Sequence, residues 1–150
     1  MRRLVAVGAW LIVSAVVGCG GANIATVSGV VKVDGKPYKD AIVSFQPIGD
    51  KGNQNPGRGS AGVTDAAGRY SLDYDGEKPG AIVGKHRVRI FTKFGAEMPA
   101  DASSESVPGG KFVERIPAEW HDDSTKEFTV PAAGTATADF DIVTKKPAKQ

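Results

Sequence analysis

Cysteine is almost absent: Cys19 is the only one in 150 residues. A lone thiol excludes an internal disulfide framework and any cysteine-based zinc cluster. An excess of one charge is missing too, with 19 Lys+Arg against 17 Asp+Glu and 24% charged residues. That balance excludes both a basic nucleic-acid arm and an acidic disordered tail. Outside the N-terminus there is no long hydrophobic run, and no window holds a sustained 3.6-residue apolar stripe with caps. What remains is 41% hydrophobic residues punctuated by 19 Gly and 9 Pro. This is the composition of one globular domain with many turns, too short for a two-domain enzyme.

The N-terminus has its own grammar. Met1-Arg2-Arg3 precedes an almost wholly apolar stretch from Leu4 to Val17, followed by Gly18-Cys19. These are the charged, hydrophobic and small-residue parts of an export signal. The stretch is 14 residues long, whereas a spanning helix needs about 20. Val16-Val17-Gly18-Cys19 resembles the lipobox of bacterial lipoproteins. That resemblance implies a diacylglyceryl group on the Cys19 thiol, cleavage just before it and acylation of the new amine. Each buried CH₂ then contributes about 0.8 kcal/mol, and two or more chains hold a protein stably on a membrane. Gly20, where an Asp would mark inner-membrane retention in the enterobacterial scheme, favours the outer membrane. Loss of residues 1–18 removes Arg2 and Arg3 and no acid, so 19 basic residues become 17, against 17 acidic. Three of those bases, Lys145, Lys146 and Lys149, belong to a Pro-containing tail over 144–150. The body is therefore mildly acidic, and nucleic acid is not an expected partner.

The rest reads as strands. Seven short runs show period-2 alternation or β-branched enrichment, each bounded by Gly, Pro, Asp or Asn. In 27–33, Val27, Gly29, Val31 and Val33 share a face. In 41–45 the shared residues are Ala41, Val43 and Phe45, and 58–64 offers Ala61 and Val63. The cleanest half-buried strand is 69–74, with Tyr70, Leu72 and Tyr74 inward. Next, 85–93 aligns His86, Val88 and Ile90, 126–130 aligns Phe128 and Val130, and 136–143 aligns Ala136, Ala138, Phe140 and Ile142. Residues 46–57 and 95–110 are too polar and glycine-rich for strands and are expected as loops, more mobile than functional. The pattern predicts an all-β, antiparallel β-sandwich of about seven strands, with a closed barrel as the alternative. The expected layout is a signal over 1–18, a tether over 19–26, the sandwich over 27–143 and a flexible basic tail over 144–150.

Three stretches taken together resemble a known family. Val27-Ser-Gly-Val-Val-Lys-Val-Asp-Gly-Lys-Pro37, Ala41-Ile-Val-Ser-Phe-Gln-Pro47 and Gly62-Val-Thr-Asp-Ala-Ala-Gly-Arg-Tyr70 are similar to the carboxypeptidase-regulatory-like or transthyretin-like domain. Pro79 to Ile90 and Ile116 to Thr125 resemble short lipoproteins abundant in planctomycetes. The resemblance covers most of 27–143 and implies the sandwich fold while saying little about activity. In Thr64-Asp65-Ala66-Ala67-Gly68, Asp65 is placed to bond backbone amides and Gly68 to take a positive φ before Tyr70 enters the core. His86, where the family often has Tyr, is expected as a packing residue.

Enzyme chemistry finds little support. The C-terminal Tyr-Arg-Gly-Ser and paired histidines of the 5-hydroxyisourate-hydrolysing relatives are missing, and neither histidine accompanies a nucleophile elbow. His121-Asp122-Asp123 has metal-ligand chemistry, but adjacent side chains in an extended segment point apart, so a solvated acidic turn is expected, with weak calcium binding as the lesser reading. Glu119 and Glu127 add nothing to it. Lys85, Arg87, Arg89 and Lys93 form a basic stripe on one strand face. Its ordinary reading is solvation or pairing with acids on the next strand, and its sharper reading is contact with an anionic envelope polymer. Collagen-adhesin B-type domains share the opening motif, and Lys32 stands where they place an isopeptide lysine, yet 137–144 offers no Asn and 86–92 no Glu. The cross-link is therefore not expected.

The function expected is a lipid-anchored envelope module without catalysis, cofactor or metal, attached to the membrane through Cys19. A glycan- or protein-binding role is set beside a structural one. Trp120 and Phe91 are the aromatic residues to examine for an exposed patch.

Overall fold

The computed structural model describes residues 23–93 and 114–144. The signal over 1–18, Cys19, the loop 95–110 and Lys145, Lys146 and Lys149 lie outside the described residues. Within them the chain is all-β, with one 3-10 turn and no α-helix. The strands are β1 (Ile24–Ala25), β2 (Ser28–Val33), β3 (Lys36–Pro37), β4 (Ala41–Pro47), β5 (Ser60–Val63), β6 (Arg69–Ser71), β7 (Asp73–Tyr74), β8 (Lys78–Pro79), β9 (Ala81–Ile82), β10 (Gly84–Thr92), β11 (Glu127–Val130) and β12 (Phe140–Ile142).

Three sets of pairings organise them. One sheet has the order β11-β10-β4-β5-β7-β8, and β10 against β4 is its backbone, in register from His86 opposite Pro47 to Thr92 opposite Ala41. A second runs β12-β2-β3, with β6 also on β2, and β1 pairs with β9 by itself. Most pairings are antiparallel, but β12 lies parallel to β2, with Phe140 opposite Val31 and Ile142 opposite Val33. A parallel partner needs a long connection rather than a hairpin, and β12 comes from the far end of the domain.

Alternation explains where the core sits. Ala41, Val43 and Phe45 of β4 and Val88 and Ile90 of β10 are fully buried, as are Val31 of β2 and Ile142 of β12. Each large apolar side chain of this set contributes about 1.5–3 kcal/mol by leaving water. Aromatic rings join the two larger sheets: Phe140 of β12 stands 6.2 Å from Phe45 and 6.5 Å from Tyr70, ring centre to ring centre. The Tyr70 hydroxyl donates to the Ala138 carbonyl at 2.6 Å, and burial pushes its ionisation upward.

The turns follow their residues. Asp34 and Gly35 both take positive φ, 51° and 78°, the conformation of a tight hairpin between β2 and β3. As the motif predicts, the Asp65 carboxylate accepts from the Ala67 and Arg69 amides, which holds it below the usual carboxylate range, mainly through Arg69. Gly68 has φ 72°, and a Cβ there would sit 2.5 Å from the Val31 carbonyl oxygen.

Four expectations are corrected. The run 69–74 keeps its alternation but is two strands in two sheets: β6 bonds β2, β7 bonds β5, and the chain crosses at Leu72. The Leu72 amide bonds the Val27 carbonyl at 2.9 Å and its own carbonyl accepts from Gly80 at 2.6 Å, so the crossing leaves neither group unpaired. In β5 the facing is opposite to expectation, with Ala61 and Val63 exposed and Ser60 and Thr64 buried. The crossing chain is the cause, because a Cβ at Gly62 would lie 2.1 Å from the Ser71 carbonyl oxygen. Only a side chain of hydrogen fits there. Finally, Ala136 is exposed and precedes the strand, which is limited to 140–142. The expected loop 46–57 loses Gln46 and Pro47 to β4, and its tip is held by the Asp50 carboxylate accepting from the Gly52 and Asn53 amides.

Candidate functional site

β10 sorts its side chains by parity. His86, Val88, Ile90 and Thr92 face the core, at 1%, 0%, 0% and 7% exposure. Lys85, Arg87 and Lys93 are exposed on the other side, and Arg89 and Phe91 are half-buried there. Across the sheet this outer face continues through Gln46, Ser44 and Ile42 of β4, which stand opposite Arg87, Arg89 and Phe91. Lys85 pairs with Glu127 of β11 at 3.3 Å, as the pairing reading anticipates.

The segment after residue 113 builds a wall against the end of this face. Glu114 is clamped: its carboxylate accepts from the Thr92 amide at 2.9 Å, the Thr92 hydroxyl at 2.7 Å and the Ile116 amide at 2.9 Å. The Thr92 hydroxyl also meets the Tyr38 hydroxyl at 2.9 Å. Ile116 is buried, and a 3-10 turn over Ala118–Trp120 carries the chain around to His121. The Trp120 ring packs edge-on to Phe140 at 5.9 Å with the Lys126 ammonium 4.8 Å above it. Trp120 is thus a packing residue. Buried Ser124 fastens the wall by donating its hydroxyl to the Val88 carbonyl.

Between face and wall lies a groove of about 500 Å³ lined by Arg89, Phe91, Glu114, His121 and Asp122. Its groups are unequally available. Glu114 has its oxygens filled. His121 is held at both ring nitrogens, Nε2 3.0 Å from the Ile116 carbonyl and Nδ1 3.1 Å from the Asp122 carboxylate. Arg89 is less committed: one Nη bonds the Gln46 side chain at 3.1 Å, while its Nε–H is buried with no partner. A buried donor without an acceptor is unusual in folded proteins, and its burial closes this one to an acceptor arriving from outside.

The other named residues separate. His121, Asp122 and Asp123 share one turn, in which His121 Nδ1 meets the 91% exposed Asp122 carboxylate at 3.1 Å and the Asp123 amide bonds the Ala118 carbonyl. Among the described residues no group of three or more His, Cys, Asp or Glu side chains could hold a metal ion. Lys32 is exposed and stands beside Asp141 in the register of β2 and β12. His86 is fully inside, donating from Nδ1 to the Gly84 carbonyl at 3.0 Å, with Nε2 unpartnered and burial lowering its proton affinity. It packs 5.8 Å from the Phe45 ring, as a core residue. Sequence reasoning found Arg89 in the basic stripe and Phe91 as an aromatic candidate but missed Glu114, whose anchor on Thr92 lies 22 residues earlier and leaves no local signal.

The chain matches no protein-family model, no curated protein and no solved structure.

Proposed function

We propose that the protein is a lipid-anchored β-sandwich of the cell envelope, of the carboxypeptidase-regulatory-like or transthyretin-like kind, that binds without catalysing. Its ligand in this reading is an anionic envelope glycan held by the outer face of β10 and the adjoining groove. The observation that carries the binding role is the placing of Arg89 in the groove lining beside Phe91, with one Nη on the Gln46 side chain. A guanidinium next to an aromatic surface suits a sugar carboxylate, with the fork bonding the acid and the ring covering the sugar's apolar face. Arg87 and Lys93, exposed on the same strand face, extend the positive field along a polymer. Glu114 and His121 are spent on fixing the wall, and among the described residues no hydroxyl or thiol nucleophile lines the groove with them. That distribution supports binding over chemistry.

Anchoring rests on the signal and lipobox pattern that ends at Cys19. Intact mass of protein purified from native membranes tests it: the mature chain begins at Cys19 and carries acyl additions there. A soluble, unmodified form starting elsewhere contradicts it. Capture with the native protein from its own envelope, eluted by rising salt, tests the ligand. Uronic-acid-bearing material in the eluate supports the reading, and only neutral glycan or protein contradicts it. The salt dependence follows because exposed charge pairs are screened within about 10 Å at 0.1 M salt.

A further inference from the structure

The two ends of β10 are also two ends of the domain, and the N-terminal stub sits at only one of them. Asn23, the first described residue, accepts from the Val83 amide at 2.8 Å, and β1 pairs with β9 directly after it. Gly84, where β10 begins, is one residue further on. At the same end residues 48–57 and β9 enclose a hollow of about 370 Å³ whose rim includes half-buried Ile48, Pro56, Ile82 and Val83 beside Asp50 and the Lys85–Glu127 pair. Exposed Lys51 stands in the same loop.

Only Cys19 to Ala22 separate a lipidated Cys19 from Asn23. Four residues span at most about 14 Å when fully extended. Thr92, at the groove end of β10, lies eight residues beyond Gly84, roughly 26 Å away at about 3.3 Å per residue. The tether is shorter than the strand, so the domain cannot stand on its groove end while the acyl chains stay buried. We propose that the end formed by β1, β9 and residues 48–57 rests on the lipid headgroup layer and that the Arg89–Phe91 groove faces away from the membrane. The inference rests on the anchoring reading and deepens it: the short tether sets which face meets lipid and which meets polymer. The half-buried apolar rim and Lys51 suit the interface, where apolar groups enter the acyl boundary and a long cationic side chain reaches headgroups.

The test supplies the lipid chemically, which separates this proposal from whether cells lipidate Cys19. Residues 19–150 are coupled through the Cys19 thiol to a maleimide lipid in vesicles of phosphatidylethanolamine and phosphatidylglycerol. Amide hydrogen exchange is compared with the same chain capped by N-ethylmaleimide and mixed with plain vesicles. Exchange over 48–57 and 81–84 slows severalfold on coupling, while 114–124 is unchanged. Slowing of 114–124 as large as that of 48–57, or no slowing anywhere, overturns the proposal. Inserting about 20 Gly/Ser residues between Ala22 and Asn23 adds a span of about 25 Å and returns 48–57 to the capped rate. Undiminished protection in that variant overturns the tether argument. Intact mass of the native protein decides the anchoring reading on its own.

Discussion

The inner and outer faces of β10 share one backbone and one register, yet their side chains have opposite prospects. Inward, His86, Val88, Ile90 and Thr92 are buried, between 0% and 7% exposed, and serve packing. Outward, Arg87 and Lys93 stand in solvent, and Arg89 and Phe91 line the groove. The lesson is that alternation on a strand does two jobs: it names the core and, by subtraction, the face that remains for binding. Stability should therefore respond to changes on and around the inner face, and ligand binding to changes on the outer one.

The largest effect belongs to the core that the inner face helps to close. Tyr70→Ala removes a ring that is 4% exposed and its bond to Ala138, and should cost about 3 kcal/mol in denaturant unfolding. A loss under about 0.5 kcal/mol would show that the ring contributes no packing. Gly62→Ala comes next. A methyl group 2.1 Å from the Ser71 carbonyl oxygen forces backbone to move, at about 2 kcal/mol, mid-range for overpacking. Val63→Thr, on the exposed side of the same strand, should change stability by less than about 0.5 kcal/mol. The reverse order, with Val63→Thr costing more than Gly62→Ala, would mean that β5 faces as its sequence alone indicates.

Where the two faces meet, Glu114→Ala removes the acceptor that joins Thr92 to the groove wall. It should destabilise by about 2 kcal/mol, since two backbone donors and a hydroxyl lose a charged partner. It should weaken binding as well, because the wall loses its clamp.

A smaller effect appears on acidification. Burial lowers the proton affinity of His86 in the fold, outweighing the Gly84 hydrogen bond. The unfolded chain takes up that proton near the ordinary value of about 6.5. Below it the unfolded state binds more protons, so stability falls as pH drops from about 6.5 toward the folded value and is fully present above it. His86→Phe should flatten that slope below about pH 6.5 in a series of unfolding midpoints. An unchanged slope would place the titration elsewhere. Smallest of all, Arg87→Ala and Arg89→Ala should each leave stability within about 0.5 kcal/mol while reducing ligand affinity.

Much of the fold is readable from the residues. The alternation of Ala41-Val43-Phe45 and His86-Val88-Ile90 places the two central strands and both their faces, and Asp65 and Gly68 identify their turn. What escapes reading is set by contacts distant in sequence. Ala61 and Val63 look like an inward pair until the chain crossing at Leu72 occupies the space beside Gly62. The parallel pairing of β12 with β2 is chosen by packing of Phe140 among Phe45, Tyr70 and Trp120, which no local pattern encodes. The groove is legible by half: its floor follows from strand parity, and its wall depends on where one carboxylate finds its donors.

The central claim is that the outer face of β10 binds an anionic polymer through Arg89. Titration calorimetry of the folded domain with polygalacturonate at low salt tests it most directly. The account predicts saturable heat that weakens as salt rises and is lost in Arg89→Ala, with the variant's unfolding midpoint unchanged. No binding by the wild-type protein, or equal binding by Arg89→Ala, would contradict it.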